Sequence, residues 1–368
     1  MTKHIVEDGP QSAVTGLESL GGGPKQGCIT LADDSGQLLP APAELLHRMP
    51  APRANLELVA QSRRIIGDIV TGNDPRFLVI VGPCSIHDYD ATLEYARRLQ
   101  QLAAQLASQI YPVMRCYFEK PRTTIGWKGL INDPSLDGSN NLNDGIALTR
   151  RILLDVTALG VPVATEVLDP NLFGYYQDLI SWAAIGARTA ESQLHRQFAS
   201  GLPLPVGIKN GTDGNIETAI HAVIAARSGH CYAGINREGR LARIETRGNL
   251  GSHIILRGGN NGPNYDEQSI RACKATLAQA EIGARVIVDC SHANSGKCAQ
   301  RQVSVVKEVV RQAQEGERII AGIMLESHLH RGRQQPINGM NGLRYGVSVT
   351  DDCLGWRETE ALLTAICR

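Results

Sequence analysis

The sequence predicts an α/β chain folded as a closed (β/α)8 barrel of the TIM type, with an N-terminal extension and an inserted β-hairpin. Three observations carry this expectation. Short β-branched runs alternate with amphipathic helical stretches from Phe77 onward, which implies buried parallel strands with helices outside. Eight such runs can be marked, the number a closed barrel needs, over a span close to the usual length of roughly 250 residues. Each run also ends in, or is directly followed by, a charged or reactive side chain. Alternation alone would suit an open doubly wound sheet equally well, so the ends of the runs matter.

Residues 1–36 are poor in aromatics, lack sustained periodicity and are interrupted by Gly21-Gly22-Gly23-Pro24, which reads as a flexible extension. Residues 37–76 form an arm and a helix. Leu38–Pro52, with Leu45-Leu46 between prolines, reads as an extended arm that could dock on a neighbouring subunit. Leu56–Thr71 has apolar residues at close to helical spacing, and Gly72-Asn73-Asp74-Pro75 stops it. The catalytic barrel is expected over 77–368. Its strands are Phe77–Val81, Val113–Phe118, Val163–Glu166, Ala184–Ala187, Val206–Lys209, His253–Arg257, Val286–Asp289 and Ile319–Leu325. Helical patterns separate most of them, as at Ala91–Leu106, Asp144–Ala158, Ile216–Ala226, Asp266–Ala280 and Arg301–Glu315. Near 231–246, a polar turn at Asn236–Arg240 between two short β-prone runs reads as a β-hairpin.

Composition excludes several classes. The chain is 42% hydrophobic and 20% charged with a formal net charge of zero, so nothing global points to nucleic acid or an anionic membrane. No apolar run approaches the roughly 18 residues of a membrane span, and Met1–Glu7 is too polar for a signal peptide. Nine scattered cysteines without a CxxC pair fit reduced thiols, so a cytoplasmic location is expected.

Barrel enzymes build their sites where the strands end. Arg115, Lys120, Arg122, Arg188, Lys209 and Arg257 lie in or after those ends. Any one of them alone is better read as a surface ion pair. Six together make a cationic basin suited to substrates carrying phosphates and a carboxylate. Gly211, Gly214, Gly258 and Gly259 would let backbone approach an oxyanion closely. A second set is Cys84, His292, Glu326 and Asp351, with His328, His330 and Asp352 as rivals. Cys84 alone is more often a small buried hydrophobe. Together, one thiolate, one imidazole and two carboxylates suit a divalent metal ion such as Mn, Fe, Co or Zn.

The ordered motifs are more specific. Gly-Pro-Cys-Ser-Ile-His-Asp at 82–88, Glu119-Lys-Pro-Arg-Thr-Thr124, Ile185-Gly-Ala-Arg-Thr189, Lys209-Asn-Gly-Thr-Asp-Gly214, His253-Ile-Ile-Leu-Arg-Gly-Gly259, Asp289-Cys-Ser-His292 and Glu326-Ser-His-Leu329 are in place. The chain thereby resembles the type I 3-deoxy-D-arabino-heptulosonate 7-phosphate synthases, from about Leu38 to near the C-terminus. These enzymes open the shikimate pathway by condensing phosphoenolpyruvate with erythrose 4-phosphate. The resemblance implies Cys84, His292, Glu326 and Asp351 as metal ligands, Asp351 being preferred to Asp352 because it follows Thr350. It implies Arg188, Arg257 and the Ala187 backbone for the phosphoenolpyruvate phosphate, and Arg115 and Lys209 for its carboxylate. Arg122 and Thr123 would take the erythrose 4-phosphate phosphate, with Lys120 between the two substrates. Lys120, with a pKa lowered by crowded cations, is the expected proton donor, and Glu166 and Asp289 the expected partners of the attacking water. A homodimer or homotetramer is implied.

Feedback-regulated relatives bind an aromatic amino acid near the stretches matching Asp169–Tyr176, Phe198–Pro203 and Tyr232–Gly234. Phe173 and Pro203 depart from that pattern, which implies altered control and a paralogue serving a secondary-metabolite pathway. Cys353, two residues from Asp351, is expected near Cys84, giving an oxidation-sensitive pair. The other readings are a sister synthase with another phosphorylated aldose and a non-catalytic metabolite sensor on the same barrel.

Overall fold

The computed structural model describes residues 38–336 and 339–367. The chain divides into two units, Met1–Leu39 and Pro40–Arg368. The extension expected over 1–36 lies outside the described residues. Among the described residues no helix is long and apolar enough to cross a membrane.

The second unit begins with a correction. The arm is not extended throughout, because Pro42–Arg48 forms helix α1. Pro42 sits in the first turn, where its missing N–H is no loss, and Glu44 and Arg48 match the helix dipole at either end. The arm is tied down within its own unit: Ala43 N donates to Arg237 O at 2.8 Å, and Tyr175 Oη to Pro40 O at 2.7 Å. Helix α2, Arg53–Thr71, buries Val59, Ile66, Ile69 and Val70 and ends at Gly72, whose φ of 88° is a left-handed cap. Ile66, Ile69 and Val70 pack into one cluster with Leu78, Val113, Trp182, Ile255 and Met324. This helix therefore closes the N-terminal end of the barrel, opposite the end where the motifs lie.

The barrel follows as β1 (Phe77–Gly82), α3 (Tyr89–Leu106), β2 (Ile110–Arg115), α4 (Leu142–Ala158), β3 (Val163–Glu166), α5 (Pro170–Phe173) and β4 (Trp182–Ile185). It continues as α6 (Gln193–Gly201), β5 (Val206–Lys209), α7 (Glu217–Arg227), a hairpin of β6 (Cys231–Ile235) and β7 (Leu241–Glu245), and β8 (Ser252–Leu256). It ends as α8 (Glu267–Gln279), β9 (Val286–Asp289), α9 (Ala299–Gln314), β10 (Ile320–Glu326) and α10 (Trp356–Ile366). The closed ring runs β1-β10-β9-β8-β5-β4-β3-β2, every pair parallel, and the hairpin is a separate antiparallel pair. Strands β1, β8 and β10 shift by a single residue from the sequence expectation, and two strands shift further. Strand β2 starts at Ile110 and stops at Arg115, before Tyr117 and Phe118, and β4 starts at Trp182. The shift makes Arg115 the last residue of its strand, fully buried.

The barrel core carries one titratable group of consequence. His253 of β8 is fully buried, accepts from Trp182 Nε1 at 3.2 Å and bonds to Gly251 O at 2.9 Å through Nδ1. Burial pushes its pKa down to about 4. An unfolded imidazole titrates near 6.5, so below that pH the unfolded chain gains a proton that the folded one refuses. His253 therefore supports folding fully above about pH 6.5. Its contribution is expected to fall by on the order of 3 kcal/mol as pH drops through about 4. Thermal midpoints measured between pH 7 and 4.5 should fall less in His253→Gln, which keeps an acceptor for Trp182. An equal fall would remove His253 as the cause.

Candidate active site

Strand β1 ends in Gly82-Pro83-Cys84, next to the end of β10 at Glu326, with Gly82 and Glu326 in register. The loop after β10 returns Asp351 to the same point. Ligand atoms of Cys84, Glu326 and Asp351 all lie within 4.8 Å of one another. Burial pushes the Cys84 thiol up, and Glu326 and Asp351 push it further. A sulfur and two carboxylates converging at this distance offer the mixed donors a divalent transition metal takes, so the donor set fits one. Three of the four expected ligands are thus together. His292 lines the same cleft but stands outside this cluster. Its Nδ1 lies 2.8 Å from Asp289 Oδ2 and hydrogen-bonds Ser291 Oγ at 3.0 Å. Ser291 Oγ gives its own proton to Asp289 Oδ1, so Nδ1 carries the ring proton and Nε2 the free lone pair. The rivals are occupied elsewhere. Asp352 Oδ2 accepts from Ala299 N at 2.9 Å and caps α9, His328 Nδ1 accepts from Leu329 N at 2.8 Å, and His330 is exposed.

The cations surround this floor. Arg115 donates to Pro83 O and Cys84 O at 2.9 and 2.7 Å and to Glu326 Oε1 at 3.0 Å, with its guanidinium 3.6 Å from the Tyr117 ring centroid. Lys209, 3% exposed, sits 3.0 Å from Asp289 Oδ2. Burial and the nearby Arg188 cation both pull the Arg257 pKa down. Among the described residues the buried Nε atoms of Arg115 and Arg257 find no hydrogen-bond partner. Crowded guanidinium groups with unmet donors are a place for an anion of more than one charge. The same cleft is lined by Lys120, Arg122, Thr123, Glu166, Ala187 and Arg188. Arg188 Nη2 donates to Thr123 Oγ1 at 3.3 Å, joining the loops after β2 and β4.

Several expectations change. Lys120 Nζ donates to Cys84 O at 2.9 Å and to Cys84 Sγ at 3.1 Å. Burial pulls its pKa down, but the Cys84 sulfur and Glu326 outweigh this, so it is raised rather than lowered. Asp289 is fully buried behind Lys209 and His292 and does not line the cleft. Burial opposes its ionisation, yet His292 and Lys209 hold its carboxyl well below the usual range. Gly211, Gly214, Gly258 and Gly259 do not line the cleft either. A Cβ on Gly259 would meet Gly214 N at 2.1 Å, so these glycines let two loops touch each other rather than a ligand. Gly186 does line it, and a Cβ there would sit 2.3 Å from Glu166 Oε1. Lys297 also lines the cleft, and sequence reasoning missed it because no periodicity or strand end marks it.

Cys353 is fully buried, and burial pushes its thiol well up, with Cys84 and Glu326 adding to this and a hydrogen bond with the Cys84 backbone opposing it. Both are free thiols. Burial keeps both thiols protonated, so peroxide is expected to inactivate the protein slowly, faster at high pH, with recovery in dithiothreitol. Full activity after oxidant, or no thiol loss, would sink this pairing.

A second pocket gathers the three stretches expected around an effector, with Pro170, Phe198, Pro203, Tyr232 and Gly234 among its walls. Phe173 is not in that wall. It is fully buried, edge-on to Tyr176 and Phe198.

Among known proteins, the DAHP synthetase I family matches residues 52–364 of this chain. The chain is 50% identical over 330 residues to the "Phospho-2-dehydro-3-deoxyheptonate aldolase, Tyr-sensitive" of Escherichia coli (strain K12), covering 90% of this chain and 92% of that protein. It is 48% identical over 334 residues to the "Phospho-2-dehydro-3-deoxyheptonate aldolase" of Corynebacterium glutamicum, covering 89% and 90%. The solved structure of the phospho-2-dehydro-3-deoxyheptonate aldolase from Francisella tularensis SCHU S4 matches with a TM-score of 0.89 at 43% identity, covering 91% of this chain and 97% of that one.

Proposed function

The chain belongs to the DAHP synthetase I family, and from that premise we propose that it condenses phosphoenolpyruvate, erythrose 4-phosphate and water to 3-deoxy-D-arabino-heptulosonate 7-phosphate and phosphate. This is the first step of aromatic amino acid biosynthesis. The observation that carries the reading is a cleft of crowded, incompletely bonded cations standing over a thiol and two carboxylates.

Arg188 and Arg257, with the Ala187 backbone, hold the phosphoenolpyruvate phosphate, and Arg115 and Lys209 its carboxylate. Arg122 and Thr123 hold the phosphate of the aldose. Cys84, Glu326, Asp351 and His292 through Nε2 would hold a divalent metal, Mn, Fe, Co or Zn. Such an ion would supply Lewis acidity toward the aldehyde oxygen. The phosphoenolpyruvate C3 bonds to the aldehyde carbon while Lys120 Nζ gives a proton to the aldehyde oxygen. Water adds at C2, and the C2–O bond to phosphate then breaks. Glu166 faces the cleft and takes the water's proton, and Asp289 acts from behind by orienting Lys209 and His292.

Phosphoenolpyruvate consumption by the purified chain with erythrose 4-phosphate, with and without chelator and Mn2+, tests this. Turnover lost to chelator and restored by Mn2+ is expected. No turnover from folded protein under any metal would overturn it, in favour of another aldose or a sensor. Altered feedback is the proposed state of the second pocket, supported by Pro203 in the wall and by Phe173, which packs edge-on behind the wall residue Phe198. Each aromatic amino acid in the same assay checks it. A homodimer or homotetramer is proposed as well, supported by Ile235 and Leu241, paired across the hairpin yet 44% and 74% exposed.

A further inference from the structure

Among the described residues four that are not glycine hold a left-handed backbone: Leu136, Asn140, Glu281 and Lys297, the last at φ 59°. That conformation brings Cβ against the backbone and is disfavoured for every residue but glycine. Lys297 is the one of the four that lines the cleft. It follows Gly296, φ 60°, at the end of a turn that starts at the tip of β9, and Lys297 N closes the turn onto His292 O at 2.7 Å. A turn that only had to end would be better served by a second glycine. Strain kept at the wall of a site points to a use for the side chain that it aims.

The ammonium is not spent on the protein. Its side chain is 58% exposed, and its single ion contact is a long one, 3.9 Å to Asp351 Oδ1. Asp351 itself faces Cys84 and Glu326. No hydrogen bond from Lys297 Nζ is found among the described residues. Of the cations assigned to phosphoenolpyruvate, Arg188 is exposed like Lys297 and Arg122, while Arg257 is half-buried and Arg115 and Lys209 lie deepest, at 1% and 3% exposure. A cation at the mouth meets the substrate that enters over them. We propose that Lys297 is a further substrate-binding residue, whose ammonium takes the phosphate of the incoming aldose phosphate together with Arg122. Its left-handed backbone is the cost of turning that side chain into the cleft.

The inference rests on the proposed condensation, and its test separates the two. Steady-state kinetics of the full-length, Mn2+-loaded chain would be measured for wild type, Lys297→Met, Lys297→Arg and Lys297→Gly, with thermal midpoints. Glu281→Gly is the control, since it relieves the same backbone strain away from the cleft. Lys297→Met is expected to raise the KM for the aldose phosphate at least about tenfold while the KM for phosphoenolpyruvate moves less than about twofold. Lys297→Arg should recover most of the loss. Lys297→Gly should melt a few degrees higher, as Glu281→Gly does, yet share the KM defect of the Met variant. Salt should raise the aldose phosphate KM more in wild type than in Lys297→Met. An unchanged aldose phosphate KM in Lys297→Met, or an equal rise in both KM values, overturns the inference. An inert wild type overturns the functional reading first, and this one with it.

Discussion

Asp289→Asn is expected to lower the thermal midpoint on the order of 10 °C and to weaken metal binding at the same time. The carboxylate is fully buried, with Lys209 Nζ at 3.0 Å and His292 Nδ1 at 2.8 Å on the same oxygen. Removing its charge leaves the Lys209 ammonium buried without a partner, a change that costs about 3–5 kcal/mol in comparable buried pairs. It also frees the His292 ring to rotate or change tautomer, and losing such an outer partner typically lowers metal affinity about 10–100-fold. Differential scanning calorimetry and a chelator competition would read the two effects separately. Lys209→Met should relieve much of the destabilisation in the double variant, because the orphaned charge is then gone. A stable Asp289→Asn protein with native metal affinity would show that neither partner depends on it.

Lys120→Met should leave the metal in place and reduce turnover by roughly 10^2 to 10^4. Lys120 Nζ lies 3.1 Å from Cys84 Sγ, so it touches the proposed metal-binding cluster without belonging to it. Metal content by mass spectrometry and turnover under saturating substrates are the two readings. Turnover within tenfold of wild type, with metal bound, would take the proton-donor role away from Lys120. Loss of metal together with turnover would instead make it a support for Cys84.

The alternation of runs was enough to mark the ring and the hairpin, because buried parallel strands are apolar on both faces and leave a strong local signal. Strand β2 was misplaced by its own composition. Pro112, paired with Val79, has no N–H to give a ladder and made the start look like a loop, while Tyr117 and Phe118 past the end looked like strand. The arm failed for a similar reason, since Pro42 starts a helix as readily as it breaks one. Of the site, residue types at strand ends were visible, whereas partnerships were not. Nothing local says that Asp289 lies behind Lys209, that Asp352 caps α9, or that Cys84 and Glu326 raise the Lys120 pKa against the pull of burial. Those facts depend on which strands are neighbours, and Lys297 depends on a single backbone angle.

The seam where β1 meets β10 has a consequence for how the protein is made. The proposed metal cluster is drawn from the first strand of the ring, the last strand, and the loop beyond it. A chain emerging from the ribosome exposes Cys84 long before Asp351. At roughly 5–20 residues per second the wait is on the order of 15–50 s. For that interval the thiol is an accessible, unliganded group on an unclosed sheet, open to oxidants and to stray soft metals. A reducing environment would keep that thiol free until the ring closes and buries it.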